Sequence, residues 1–74
     1  MGTCTGTVKW FDPKKGYGFI KRDDGKPDVF LHARNLERSR YPGFPDDPPD
    51  QGDKICFDVE VGDRGEFATN LTPG

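Results

Sequence analysis

Tyr17-Gly18-Phe19-Ile20-Lys21-Arg22-Asp23-Asp24-Gly25-Lys26-Pro27-Asp28-Val29-Phe30-Leu31-His32 decides how this chain folds. It holds two short alternating runs, Tyr17–Arg22 and Asp28–His32, separated by a Gly- and Pro-containing stretch. Asp24-Gly25 is a tight-turn signal, so the two runs form an antiparallel hairpin. Strand side chains alternate between faces. Tyr17, Phe19 and Lys21 therefore share one face, and Gly18, Ile20 and Arg22 share the other. On the next strand Phe30 and His32 stand opposite to Val29 and Leu31. The aliphatic side chains make the better core, which puts the aromatic rings outside. An ordinary half-buried hairpin sets core against water. This one sets core against aromatics.

The rest of the chain continues the pattern. A first strand over Cys4–Phe11 ends at Asp12-Pro13-Lys14-Lys15-Gly16. A fourth strand over Lys54–Val61 alternates Ile55, Phe57, Val59 and Val61 with Lys54, Cys56, Asp58 and Glu60. Gly62-Asp63-Arg64-Gly65 turns it into a fifth strand over Glu66–Thr72. Between the third and fourth strands runs a long connection, Ala33–Asp53, holding Pro42, Pro45, Pro48 and Pro49. Leu31–Tyr41 is the only stretch without a breaker that could turn helically, and it is too polar for more than a turn or two of helix. Five short strands left as an open sheet would expose both edges, whereas closure removes them. The expected fold is all-β: a five-stranded antiparallel OB-fold barrel of Greek-key order, with a long loop between strands three and four. Residues 1–74 form a single domain. On the first strand Val8 and Trp10 share parity, yet Val8 suits the core and Trp10 the outside. A bulge or sharp bend near Lys9 reconciles them.

At 74 residues the chain builds only a small core. Its two cysteines, Cys4 and Cys56, form no Cys-x-x-Cys pair, and one histidine is too few for a common zinc site. No metal or cofactor is expected, and the cysteines are expected as reduced strand residues. No apolar run spans a membrane and no signal peptide is evident, which points to the cytoplasm. Net charge is −2, but it is unevenly spread: residues 1–40 carry +4 and residues 41–74 carry −6. A polyanion would meet the first half and be repelled by the second.

Lys15-Gly16-Tyr17-Gly18-Phe19-Ile20 fits the opening of an RNA-binding consensus. Two rings two residues apart on a strand lie about 6.5–7 Å apart on one face. That spacing suits two unstacked bases, one on each ring. The glycines leave no side chain to block an approaching strand or ligand. With Phe30 and His32 on the next strand and Trp10 on the first, the rings make a platform flanked by Lys9, Lys15 and Lys21. A soluble monomer has little other reason to expose so much aromatic surface.

Lys9-Trp10-Phe11, the Lys15–Ile20 hexamer, Asp28-Val29-Phe30-Leu31-His32, Gly62-Asp63-Arg64-Gly65 and Ala68-Thr69-Asn70-Leu71 together resemble the signature of the cold-shock domain family, of the small bacterial type. The resemblance covers the chain except the long connection. It implies an OB barrel that binds single-stranded RNA and DNA, serves as an RNA chaperone or regulator of transcription or translation, and catalyses nothing. Carried over by position, Lys9, Trp10, Lys15, Tyr17, Phe19, Asp28, Phe30, His32 and Arg64 are binding residues. Asp28 is equally able to cap the hairpin turn. The family's loop aromatic falls on Phe44 or Tyr41, with Phe44 taken as the site residue; Phe11 is expected in the core. Three positions depart from the family: Ala33 stands where an aromatic is usual, the connection is longer and richer in Pro and Asp, and Glu66 replaces a proline. The acids of that connection are expected to border the binding face and weaken binding. The competing function class is an OB-type protein-interaction module using the same aromatic patch. A hydrolase lacks a nucleophile, base and metal constellation. An RNA-recognition-motif fold would need two helices, and its second motif would lie before the first.

Overall fold

The computed structural model describes residues 3–74. Five strands and one short helix follow in order: β1 (Cys4–Asp12), β2 (Tyr17–Arg22), β3 (Val29–His32), α1 (Ala33–Arg38), β4 (Lys54–Gly62) and β5 (Gly65–Pro73). The strands close into a barrel in the order β1-β2-β3-β5-β4, with β4 pairing back onto β1. Four seams are antiparallel, as expected. The fifth is not: β3 and β5 run parallel, with Phe30 opposite Phe67. The departure from an all-antiparallel barrel is forced by parity. Directions cannot alternate all the way round a ring with an odd number of strands, so one seam must be parallel. The long connection between β3 and β4 supplies the non-hairpin link that a parallel seam requires.

The hairpin β2–β3 has the anticipated faces. Ile20, Val29 and Leu31 are fully buried, while Phe19, Phe30 and His32 are half-exposed. Val8, Ile55, Phe57, Ala68 and Leu71 complete the barrel interior from β1, β4 and β5. The expected turn or two of helix is α1, which lies against β3 and β5 and delivers Leu36 into the core. Its start is capped by His32, whose Nδ1 accepts from the Arg34 amide at 3.0 Å. Its end is tied to β5 through Ser39, whose Oγ donates to the Asn35 carbonyl at 2.6 Å and accepts from the Leu71 amide at 2.8 Å.

Arg22 occupies the inner face of β2, as alternation requires, and is buried. Asp24 receives its Nε and Nη2 at 3.1 and 2.6 Å, so the charge is paired where it meets the barrel mouth. That hydrogen bond and charge hold Asp24 below the usual carboxylate range. Cys4 and Cys56 are free thiols on the adjacent strands β1 and β4.

Asp58 fastens the start of the chain. It accepts from the Thr3 amide and hydroxyl, both at 2.9 Å, and from Asn70 Nδ2 at 2.7 Å, beside a register shift in β4. The Asn70 bond, and then those from Thr3, lower its pKa below 3.8. A carboxylate whose folded pKa is depressed contributes stability above its unfolded value, and that contribution is lost as pH falls through the folded value. Asp58→Asn is therefore expected to lower the thermal midpoint at neutral pH and to flatten its fall below about pH 4. Midpoints of parent and variant followed by circular dichroism from pH 7 to pH 2 check this. Parallel curves would mean that acid acts elsewhere.

Candidate nucleic-acid interface

β1 changes face at Lys9. Val8 pairs with Ile20 and Trp10 with Phe19, so Lys9 is the extra residue of a bulge, where one was expected. Lys9 and Trp10 are both exposed as a result, and Val8 is buried. The bulge brings the β1 backbone down onto β2. A Cβ on Gly18 would fall inside van der Waals contact with the Trp10 carbonyl oxygen and 2.7 Å from Phe11 Cα. Gly16, with φ at +78°, closes the preceding turn, its amide donating to the Asp12 carbonyl at 2.7 Å. Each glycine of the hexamer thus serves the backbone: one for a left-handed turn, one for strand approach.

The outward rings form a connected chain. Trp10 lies 5.7 Å from Tyr17 and 5.5 Å from Phe19, centroid to centroid. Phe30 lies 5.8 Å from Tyr17, 5.7 Å from Phe19 and 6.0 Å from His32. The Arg34 amide fixes the His32 ring in this chain and leaves its hydrogen on Nε2. None of these rings packs on the core. Among the described half-buried aromatics it is Phe11 and Phe44 that do so. The expectation for Phe11 agrees with its position. Phe44 sits edge-on to Phe11 at 6.4 Å, outside the ring chain, and Tyr41 is buried at 8% exposure. The structure therefore brings neither loop aromatic to the platform. The loop's Pro-rich turns fold both rings inward, which residue type alone does not disclose.

Beside the ring chain runs a groove of about 600 Å³, lined by Phe19, Phe30, His32, Asp28, Arg64 and Phe67 among others. Lys9 reaches it through an ion pair with Asp28, Nζ to Oδ2 at 2.9 Å. Lys15, Lys21 and Arg64 are exposed, and among the described residues none is in an ion pair. Such cations are free to meet phosphates. Phe67 and Asn35 line the groove and were not foreseen. The signal for Phe67 was present: an aromatic near the start of β5, out of phase with its apolar neighbour Ala68, which is buried.

The family model for the 'Cold-shock' DNA-binding domain matches residues 4–73. The chain belongs to the cold-shock domain family. It is 42% identical over 70 residues to cold shock protein ScoF of Streptomyces coelicolor, covering 95% of this chain and 97% of that protein. It is 44% identical over 66 residues to cold shock protein CspC of Bacillus subtilis, covering 89% and 91%. Among solved structures, Drosophila Unr CSD456 superposes with a TM-score of 0.71 at 17% identity, a likeness of fold. That match covers 96% of this cold-shock domain and 26% of the Unr chain. Within the described residues no helix is long and apolar enough to cross a membrane.

Proposed function

We propose that this cold-shock domain binds single-stranded RNA and DNA by stacking unpaired bases on Trp10, Tyr17, Phe19, Phe30 and His32. Lys9, Lys15, Lys21 and Arg64 meet the phosphates, and Asp28 holds Lys9 at the groove. The observation that carries this is the outward ring chain with no packing on the core. Exposed rings offer a face to any base, so binding is tolerant of sequence, each stack being worth roughly 1–3 kcal/mol. A duplex keeps its base faces hidden, so the platform selects unpaired strands. Binding the open form shifts RNA away from paired structure by mass action, which is the work of an RNA chaperone in the cytoplasm and needs no catalysis. One domain suffices for this role, as a monomer.

Oligo-dT or oligo-U is expected to quench Trp10 fluorescence and to compete with pyrimidine-rich RNA. Because Trp10 is the only tryptophan, the signal has one source. Engaging four cations predicts a log–log salt dependence near −3, at about −0.7 per phosphate on a single strand. Unchanged emission at saturating oligonucleotide and low salt would overturn the reading. Capture of a protein partner with little salt dependence would favour the interaction-module alternative.

The connection after α1 bears on affinity. Gly52 and Asp53 bond back to Val8, amide to carbonyl and carbonyl to amide, at 2.8 and 2.9 Å. This anchors the end of the connection, at Gly52 and Asp53, to β1 two residues before Trp10. Changing Asp46, Asp47 and Asp50 together to Asn is expected to tighten binding at low salt by about 1 kcal/mol or less. The gain should vanish as screening shortens the Debye length below about 8 Å. Dissociation constants at two ionic strengths check this, and equal values at low salt would place the loop's field away from the ligand.

A further inference from the structure

Strand register places four aromatic residues in one row around the barrel. Trp10 on β1 pairs with Phe19 on β2, Phe19 with Phe30 on β3, and Phe30 with Phe67 on β5 across the parallel seam. The first three belong to the platform. Phe67 shares their characteristics. It is half-buried, it precedes the fully buried Ala68 so that its side chain takes the outward face, and it lines the groove together with Phe19 and Phe30. It is absent from the half-buried hydrophobics that pack on the core, which are Cys4, Phe11, Phe44 and Val59. Burial of apolar surface in the interior therefore does not account for a phenylalanine here. Its ring instead lies over the β4–β5 turn, where a Cβ on Gly62 would be 3.0 Å from Phe67 Cε1. Gly62 leaves the ring its place beside Arg64.

We propose that Phe67 is a nucleobase-binding residue, a fourth rung that carries one unpaired base of the bound strand onto β5. This rests on the proposed function and adds to it a direction for the strand. Beyond His32 the next residue, Ala33, offers no ring, whereas across the seam Phe67 does. The bound strand then crosses from β3 to β5. There the exposed guanidinium of Arg64 is available to its phosphate, and the Asn35 side-chain amide, on the same groove wall, can meet a base edge. Stacking is the main contribution, so the rung accepts any base.

The test uses Phe67→Leu, which keeps an apolar side chain over Gly62 and removes the aromatic face. Affinity for oligo-dT of increasing length is read from Trp10 quenching at low salt. The variant is expected to bind the longest oligonucleotide at least about five-fold more weakly. Its affinity should also stop rising with length about one nucleotide earlier than the parent's. In the parent, photo-crosslinking to oligonucleotides carrying 5-iodo-deoxyuridine should yield an adduct at Phe67, a readout that stands even where Phe67→Leu does not fold. Phe19→Ala serves as the control for the platform itself. Unchanged affinity and plateau in Phe67→Leu, or crosslinks confined to β1–β3, would overturn the fourth rung while loss of binding in Phe19→Ala leaves the platform in place. No binding by the parent would overturn both.

Discussion

Phe30→Ala is expected to weaken oligo-dT binding by roughly 1–3 kcal/mol, about five- to 150-fold, and to leave the barrel folded. Phe30 is the hub of the outward rings: Tyr17, Phe19 and His32 all lie within 6.0 Å of it. Removing it deletes one stacking face and also the neighbour that holds three others in place. The effect should therefore sit at the upper end of that range and exceed that of Phe19→Ala. Stability should change little, since the core positions of β3 are Val29 and Leu31. Fluorescence titration beside a urea denaturation curve separates the two effects. If affinity falls only in step with unfolding, Phe30 is a structural ring and the face assignment fails.

Gly18→Ala should have the opposite signature, a loss of the fold itself. The added methyl meets the Trp10 carbonyl and Phe11 Cα, both backbone, so no side-chain rotation relieves it. Overpacking against immovable atoms is expected to cost roughly 3 kcal/mol or more. A domain of 74 residues has only about 4–11 kcal/mol in total. The variant should show a urea midpoint far below the parent's, or no folded baseline. Gly25→Ala is the contrast. Its φ of +79° makes alanine unfavourable, but a Cβ there meets nothing within 4 Å. The cost should stay near 1 kcal/mol. Equal midpoints for Gly18→Ala and parent would mean that β1 does not need its close approach and that the bulge at Lys9 has slack.

Period-two alternation in Tyr17–Arg22 and Val29–His32 was enough to assign both faces of β2 and β3, because aliphatic Ile20, Val29 and Leu31 fall on one parity and aromatic Tyr17, Phe19, Phe30 and His32 on the other. The parity conflict between Val8 and Trp10 located the bulge for the same reason: a Val and a Trp with opposite destinations cannot share a face without one. The parallel seam was missed although counting strands around a closed ring requires it; local patterns report neighbours in sequence, and this pairing joins residues far apart in the chain. Phe44 and Tyr41 were illegible. A phenylalanine between proline-rich turns carries no period, and only the folded loop shows it resting on Phe11. Phe67 was not legible as part of the site because its register partner, Phe30, lies across the parallel seam and far away in the chain.

The parallel seam has a dynamic consequence. β3 is the shortest strand of the barrel, and Phe30 opposite Phe67 is its registered pairing with β5. Slanted parallel hydrogen bonds are slightly weaker per residue than antiparallel ones, so the barrel should breathe there first. Amide protons of β3 and β5 that face each other should exchange with deuterium sooner than those joining β1 to β2 or β4 to β5. An oligonucleotide with one base on Phe30 and the next on Phe67 would act as a staple over this clasp. Its binding should slow deuterium uptake along the seam more than anywhere else in the sheet.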